Sequence, residues 1–217
     1  MNNSLIQLLV LAGIAVFLIL KLRSVLGTRE GFEKPPLPAE PAQARRTLEV
    51  VEDGPDRDIT DHVADGSPAA KALAAMKMVE PGFNVSEFLQ GARGAYEMIL
   101  MAFERGDINR IRPFLSPDIH DAFAEAVRER EDQGLTVEAN FVGLRGLTLE
   151  DATFDRDTAE AEVTVRFTGE LTTVIRNKAG EVVEGSPTAV KRQSDVWTFA
   201  RRMGTNDPNW QLVATGE

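Results

Sequence analysis

The chain has 217 residues and no cysteine, and its 24 lysines and arginines face 34 aspartates and glutamates, for a net charge of -10. That acidic balance, with no basic stripe interleaved with aromatics, argues against nucleic acid or an anionic lipid surface as the partner of its bulk. The absence of cysteine fits a reducing compartment.

The first element is apolar. Residues 5–20 (LIQLLVLAGIAVFLIL) carry no charge, and the run stops at Lys21 and Arg23. At about 1.5 Å per residue, this run and its flanks are just long enough to cross a bilayer core of about 30 Å. A cleaved secretory signal would need positive charge ahead of the apolar run and a small-x-small site behind it, and neither is present. The run therefore reads as one transmembrane anchor, with residues 1–27 as the anchoring segment. Lys21, Arg23 and Arg29 all follow the run, which puts the rest of the chain in the cytoplasm by the positive-inside bias. The expected location is an inner membrane, crossed once through residues 5–20.

Residues 28–82 are rich in Pro, Ala, Glu and Asp and poor in aromatics, so they bury too little apolar surface to offset ordering. They read as a disordered linker whose ends lie about 40 Å apart. Within it, residues 69–79 (AAKALAAMKMV) form a short helix that is either transient or a docking motif.

The folded domain is expected over residues 83–217. Asn84 followed by Glu87 is a capping-box spacing, and Phe88, Ala92, Tyr96, Ile99 and Phe103 recur at the helical period, which predicts a helix over 85–105. Gly106 suits its C-terminal cap and Asp107 the N-cap of a short second helix limited by Pro113. Ser116, Pro117 and Asp118 open a third helix showing Ile119, Phe123 and Val127 on one face and ending at Gly134. Glu125, Arg128, Glu129 and Arg130 read as its solvated, ion-paired face. Gly91, Gly94 and Ala95 read as small residues that let the first helix pack closely on a neighbour.

After Gly134 the period changes to two. Ala161, Val163, Val165 and Phe167 alternate with polar residues, predicting a strand with one buried face. Residues 177–180 (NKAG) form a hairpin loop with Gly180 left-handed, residues 190–201 another strand, and residues 210–215 the last. Helices followed by antiparallel strands make an α+β domain with the helices on one face of the sheet.

Catalytic material is sparse. His62 falls in the linker, and His120 reads as a solvated helix residue, so neither points to a base or a metal site. Asp195, beside Val196, Trp197 and Phe199, is either a half-buried acid or an outward carboxylate paired with Arg192 or Arg201. No phosphate loop, nucleophile elbow or zinc spacing is present, so no catalytic residue, cofactor or metal is assigned.

The block FNVSEFLQGARGAYEMILMAFERGDINRIRPFLSPDIHDAF, with the later pieces VVEGSP, DVWTFAR and DPNWQLVAT, resembles the Tim44-like domain family, especially its alphaproteobacterial members with an N-terminal anchor and an acidic linker. The resemblance implies a curved antiparallel sheet covered by helices, of the nuclear-transport-factor-2-like (NTF2-like) or cystatin-like type, with an apolar pocket between them. Candidate lining residues are Phe88, Tyr96, Ile99, Phe123, Phe141, Val165, Phe167, Trp197 and Phe199. It also implies a non-enzymatic adaptor at an inner membrane, working with a translocase or Hsp70-type chaperone and contacting polypeptide or lipid. The alternatives are an NTF2-like pocket enzyme and a structural envelope component that oligomerises. The oligomeric state stays open.

Overall fold

The structure, a computed structural model, describes residues 55–216. The expected span at 5–20, with Lys21, Arg23 and Arg29, lies outside the described residues. Among the described residues no helix is long and apolar enough to cross a membrane.

The described chain forms helices α1 (Arg57–Thr60), α2 (Pro68–Val79), α3 (Val85–Arg105) and α4 (Ile108–Ile111). A 3-10 turn (Arg112–Phe114) and α5 (Pro117–Asp132) follow, then four strands: β1 (Thr136–Asp155), β2 (Glu160–Arg176), β3 (Val182–Arg202) and β4 (Gln211–Gly216). The strands form one antiparallel sheet in chain order, so each connection is a simple turn. Three register shifts in β1 curve its edge.

Alternation decides the two faces of this sheet. Ala161, Val163, Val165 and Phe167 of β2 are fully buried against α3, with Trp197 and Phe199 of β3 beside them. The opposite face carries a Thr164–Thr198 hydroxyl contact at 2.9 Å and an Arg166–Glu150 ion pair at 2.8 Å, both suited to solvent. The alternating runs expected at 161–167 and 190–201 are the first half of β2 and the end of β3. Gly180 has the expected left-handed backbone, with φ of 81°.

Local chemistry fixes the helix ends. The Asn84 side chain accepts from the Glu87 N–H at 2.8 Å, and Gly106 closes α3 with φ of 76°. Ser116 caps α5 ahead of Pro117. Asp107 makes no side-chain cap bond, so α4 is held by packing of Ile108 and Ile111 instead. Arg130 departs from the solvated face expected of it. Its guanidinium donates to the carbonyls of Phe103 and Glu104, both at 3.0 Å, and so caps the C-terminus of α3.

The boundary expected at Phe83 is corrected. Ile59, Ala69, Ala70, Leu73 and Met76 belong to the same hydrophobic core as α3 and the sheet, so the folded unit includes α1 and α2. Composition averaged over 55 residues hid this segment. Its apolar stripe is narrow, and its alanines contribute by allowing close approach to β1 more than by hydrophobic area.

A charged clamp holds this segment in place. The Asp58 carboxylate accepts from the Val85 and Ser86 N–H groups at 2.8 and 3.0 Å, while Lys77 donates to both Asp56 and Asp58 at 2.7 Å. Burial opposes ionisation of Asp58, but the bonds from Lys77 and from the start of α3 outweigh it and hold the carboxyl at about 2. A carboxylate lowered from 3.8 to about 2 stabilises the fold above its unfolded value and loses that contribution as pH falls through 2.

Asp58→Asn therefore lowers unfolding free energy by about 1–3 kcal/mol at neutral pH, and the loss of stability between pH 4 and 2 becomes shallower, both readable by urea titration. A fragment starting at residue 83 loses the packing of Leu73 and Met76, both fully buried. Each such loss costs about 2–5 kcal/mol, so this fragment melts at least about 10 °C below one starting at residue 55, by calorimetry.

Candidate functional site

The first turns of α3 frame a cleft of about 380 Å³, open to solvent. Its floor is Gly91, Ala92 and Ala95 of α3, and its walls are aromatic: Phe83 and Phe88, Phe114 from the 3-10 turn, Phe199 of β3 and Trp210 before β4. The rings touch one another. Trp210 lies 4.7 Å from Phe88 and 5.9 Å from Phe83 between centroids, and Phe88 meets Phe199 edge-on at 6.1 Å.

One cation borders this cleft. The Arg201 side chain is only 8% exposed, sits over the Trp210 ring at 5.3 Å and donates to Glu80 at 2.7 Å. Burial works against ionisation of Glu80, but Arg201 and the Gly204 N–H hold its carboxyl below the usual range. The Arg201 Nε has no hydrogen-bond partner among the described residues. With its charge already compensated by Glu80, the cleft offers aromatic area and shape more than net charge.

Of the nine candidate pocket residues, Phe88 and Phe199 border this cleft. Tyr96, Ile99, Val165, Phe167 and Trp197 are buried in the core beneath it. Phe123 is half-buried against Phe103 at 4.7 Å, and Phe141 meets the Tyr96 ring edge-on at 6.1 Å. Phe83, Phe114, Trp210, Glu80 and Arg201 were not among the candidates. Phe83 had a readable signal: it precedes the Asn84 cap and packs on Phe88, four positions into the helix, as a hydrophobic staple. Arg201 also had one, because it follows Trp197 and Phe199 at the period of two in β3, whereas Trp210 joins the site only through the β3–β4 turn, which leaves no periodic trace.

Asp195 does not pair with Arg192 or Arg201. Arg192 bonds Glu170 at 2.9 Å and Arg201 bonds Glu80, whereas Asp195 accepts from the Tyr96 hydroxyl at 2.5 Å and from Gln193 at 2.9 Å. Burial first, and then the Asp195 carboxylate, push the Tyr96 phenol well above its ordinary value. Gly169 makes room for this pair, because a Cβ there would stand 2.9 Å from the Tyr96 hydroxyl. His62 contacts the Ser86 hydroxyl at 3.1 Å. His120 is 17% exposed and lies 3.0 Å from Asp121, and its Nε2 has no partner among the described residues. Neither His120 nor the Tyr96–Asp195 pair lines the aromatic cleft, and the described residues hold no cluster able to bind a metal.

Gly91 and Gly94 are also corrected: a Cβ at either would meet nothing within 4 Å, so no internal packing requires them. Gly91 instead keeps the cleft floor low.

The described residues thus form a helical unit packed on a four-stranded meander, with a solvent-open aromatic cleft at the start of α3. The chain belongs to the Tim44-like domain family, whose model matches residues 69–217. It is similar to the mitochondrial import inner membrane translocase subunit TIM44 of Homo sapiens, at 24% identity over 168 residues. The aligned region covers 72% of this chain and 36% of that protein, so the chain spans about a third of its relative. Among solved structures, the intermembrane space region of the chloroplast protein ARC6 aligns at a TM-score of 0.41 and 15% identity, over 59% of this chain and 94% of that one.

Two glycines separate space from strain. Gly94→Ala raises stability by about 0.5–1 kcal/mol, since the helix gains and nothing is displaced. Gly169→Ala lowers it by about 1–3 kcal/mol by driving Tyr96 off Asp195. Chemical denaturation of the two variants checks both signs.

Proposed function

We propose that the chain is a membrane-tethered adaptor of NTF2-like shape at the cytoplasmic face of an inner membrane, anchored through residues 5–20. Its aromatic cleft receives an apolar segment of a polypeptide or protein partner. The observation that carries this reading is the family match over residues 69–217. The matched relative is by name a subunit of an inner membrane import translocase, which makes a translocase or an Hsp70-type chaperone the partner class to expect. Lys21, Arg23 and Arg29, all after the apolar run, support the cytoplasmic orientation.

Binding without chemistry is supported by the cleft's composition. Its charged groups are Glu80, Glu87 and Arg201, of which Glu80 and Arg201 neutralise each other, and it holds no histidine. A net-negative rim also disfavours anionic lipid headgroups relative to polypeptide.

The test places a photo-crosslinking amino acid at Asn209, which lines the cleft, in the full-length chain in native membranes. The expected products are a translocase component, a chaperone or a nascent chain. Gly91→Phe, which fills the cleft from an open position, reduces them by about tenfold without lowering the melting temperature. Recovery of phospholipid alone, or crosslinks indifferent to Gly91→Phe, overturns the reading.

A further inference from the structure

Strand β4 covers only part of β3. It pairs with Val196 through Ala200, the last pair being Val196 with Gly216, whereas β3 continues upstream to Val182 with β2 on its other side. Among the described residues nothing pairs with the outer edge of residues 182–195. Residues 182–186 are interrupted by left-handed Gly185, with φ of 81°, and by a register shift opposite Ile175 and Arg176, and the next four residues are spoiled as well. Between the pairs Leu171–Lys191 and Thr173–Ser186, four residues of β3 oppose Thr172 alone, and one of the four is Pro187, which has no N–H. What remains is a clean window at 191–195, about 17 Å long at about 3.3 Å per residue.

We propose that this window is a strand-addition site for an extended acidic segment of a protein partner, lying in line with β4 and separate from the aromatic cleft. Five residues is the length of an ordinary strand, and the free backbone groups supply the bonds. A second copy of this chain does not fit. The strand it would offer, its own β3, is 21 residues long, and beyond the window it would run into β4 at one end and the bulge at the other.

Charge selects the segment. Arg192, 67% exposed, and Arg145, 59% exposed, both bond the single carboxylate of Glu170, at 2.9 and 2.7 Å. Two guanidinium groups on one carboxylate leave a local positive surplus in a chain of net charge -10. An Asp or Glu opposite Arg192 completes this set, and a Lys there is repelled.

The test uses the full-length chain in detergent and a fluorescein-labelled seven-residue peptide of alternating Thr and Glu. It is compared with its Lys counterpart and with two versions N-methylated on alternate amides, one on the odd positions and one on the even. Expected are saturable binding of the Glu peptide and a loss of at least about tenfold for one methylated version only, because only one edge of an added strand bonds. Arg192→Glu costs the Glu peptide about tenfold and favours the Lys peptide, while Gly91→Phe changes nothing. Equal binding of both methylated versions, equal binding of Glu and Lys peptides, sensitivity to Gly91→Phe, or no binding up to millimolar peptide overturns the proposal. The methylated peptides leave the protein unaltered, so a folding defect in Arg192→Glu does not blunt the test. Failure here leaves the cleft crosslinks untouched.

Discussion

The fold depends on how one tyrosine is buried. Tyr96, fully buried in the middle of α3, stacks on Phe167 at 4.5 Å with the rings only 8° apart, and also contacts Trp197 at 4.8 Å and Phe141 at 6.1 Å. A phenol that deep must find a partner for its hydroxyl, and Asp195 with Gln193 provides it. One side chain thus reads β1 through Phe141, β2 through Phe167 and Gly169, and β3 through Gln193, Asp195 and Trp197. A one-residue slip of β3 would turn Asp195 and Trp197 to the opposite face, leaving the phenol unsatisfied and exposing the indole. The polar contact therefore sets register, where apolar burial alone would tolerate several arrangements.

The same helix is held at both ends by elements remote in sequence. At its start, Asp58 takes the N–H groups of Val85 and Ser86 and Asn84 takes that of Glu87, so the free donors of the first turn are met by side chains. At its end, Gly106 turns the chain and Arg130 of α5 covers two of the last carbonyls. Burial holds the Glu104 carboxyl above its ordinary value, with Arg130 only partly opposing it, which marks the spot where α5 seals against α3. An amphipathic helix pinned in this way is a rigid floor on which a cleft can be built.

What was legible in the sequence was what repeats. The period of 3.6 in Phe88, Ala92, Tyr96 and Ile99, and the period of two in Ala161, Val163, Val165 and Phe167, located α3 and β2 because each burial choice is made many times over. Asn84, Gly106, Ser116 and Gly180 marked ends through single-residue backbone chemistry. The first part of the folded unit was obscured because alanine is nearly neutral as a hydrophobic signal, and Asp58 acts on Val85 across 27 positions with no pattern to announce it. The cleft was partly legible for a related reason. Phe88, Phe199 and Arg201 belong to periodic elements, whereas Phe114 and Trp210 meet them only once the turns place them, and most residues with the strongest periodic signal were core for that very reason.

The cleft wall and the segment leading into α3 are one construction. Glu80, the residue that ends α2, accepts from Arg201 through one carboxylate oxygen and from the Gly204 N–H through the other. It thereby joins the start of the folded unit to the β3–β4 turn. Arg201 spreads over Trp210, so the position of that indole in the wall follows from the ion pair beneath it. A guanidinium this deeply buried is costly when its carboxylate is removed, and the cost would fall on the wall. The residues read from composition as a passive connection therefore do two things: they bury Leu73 and Met76 in the core, and they supply the charge that keeps the cleft's one cation, and with it Trp210, in place.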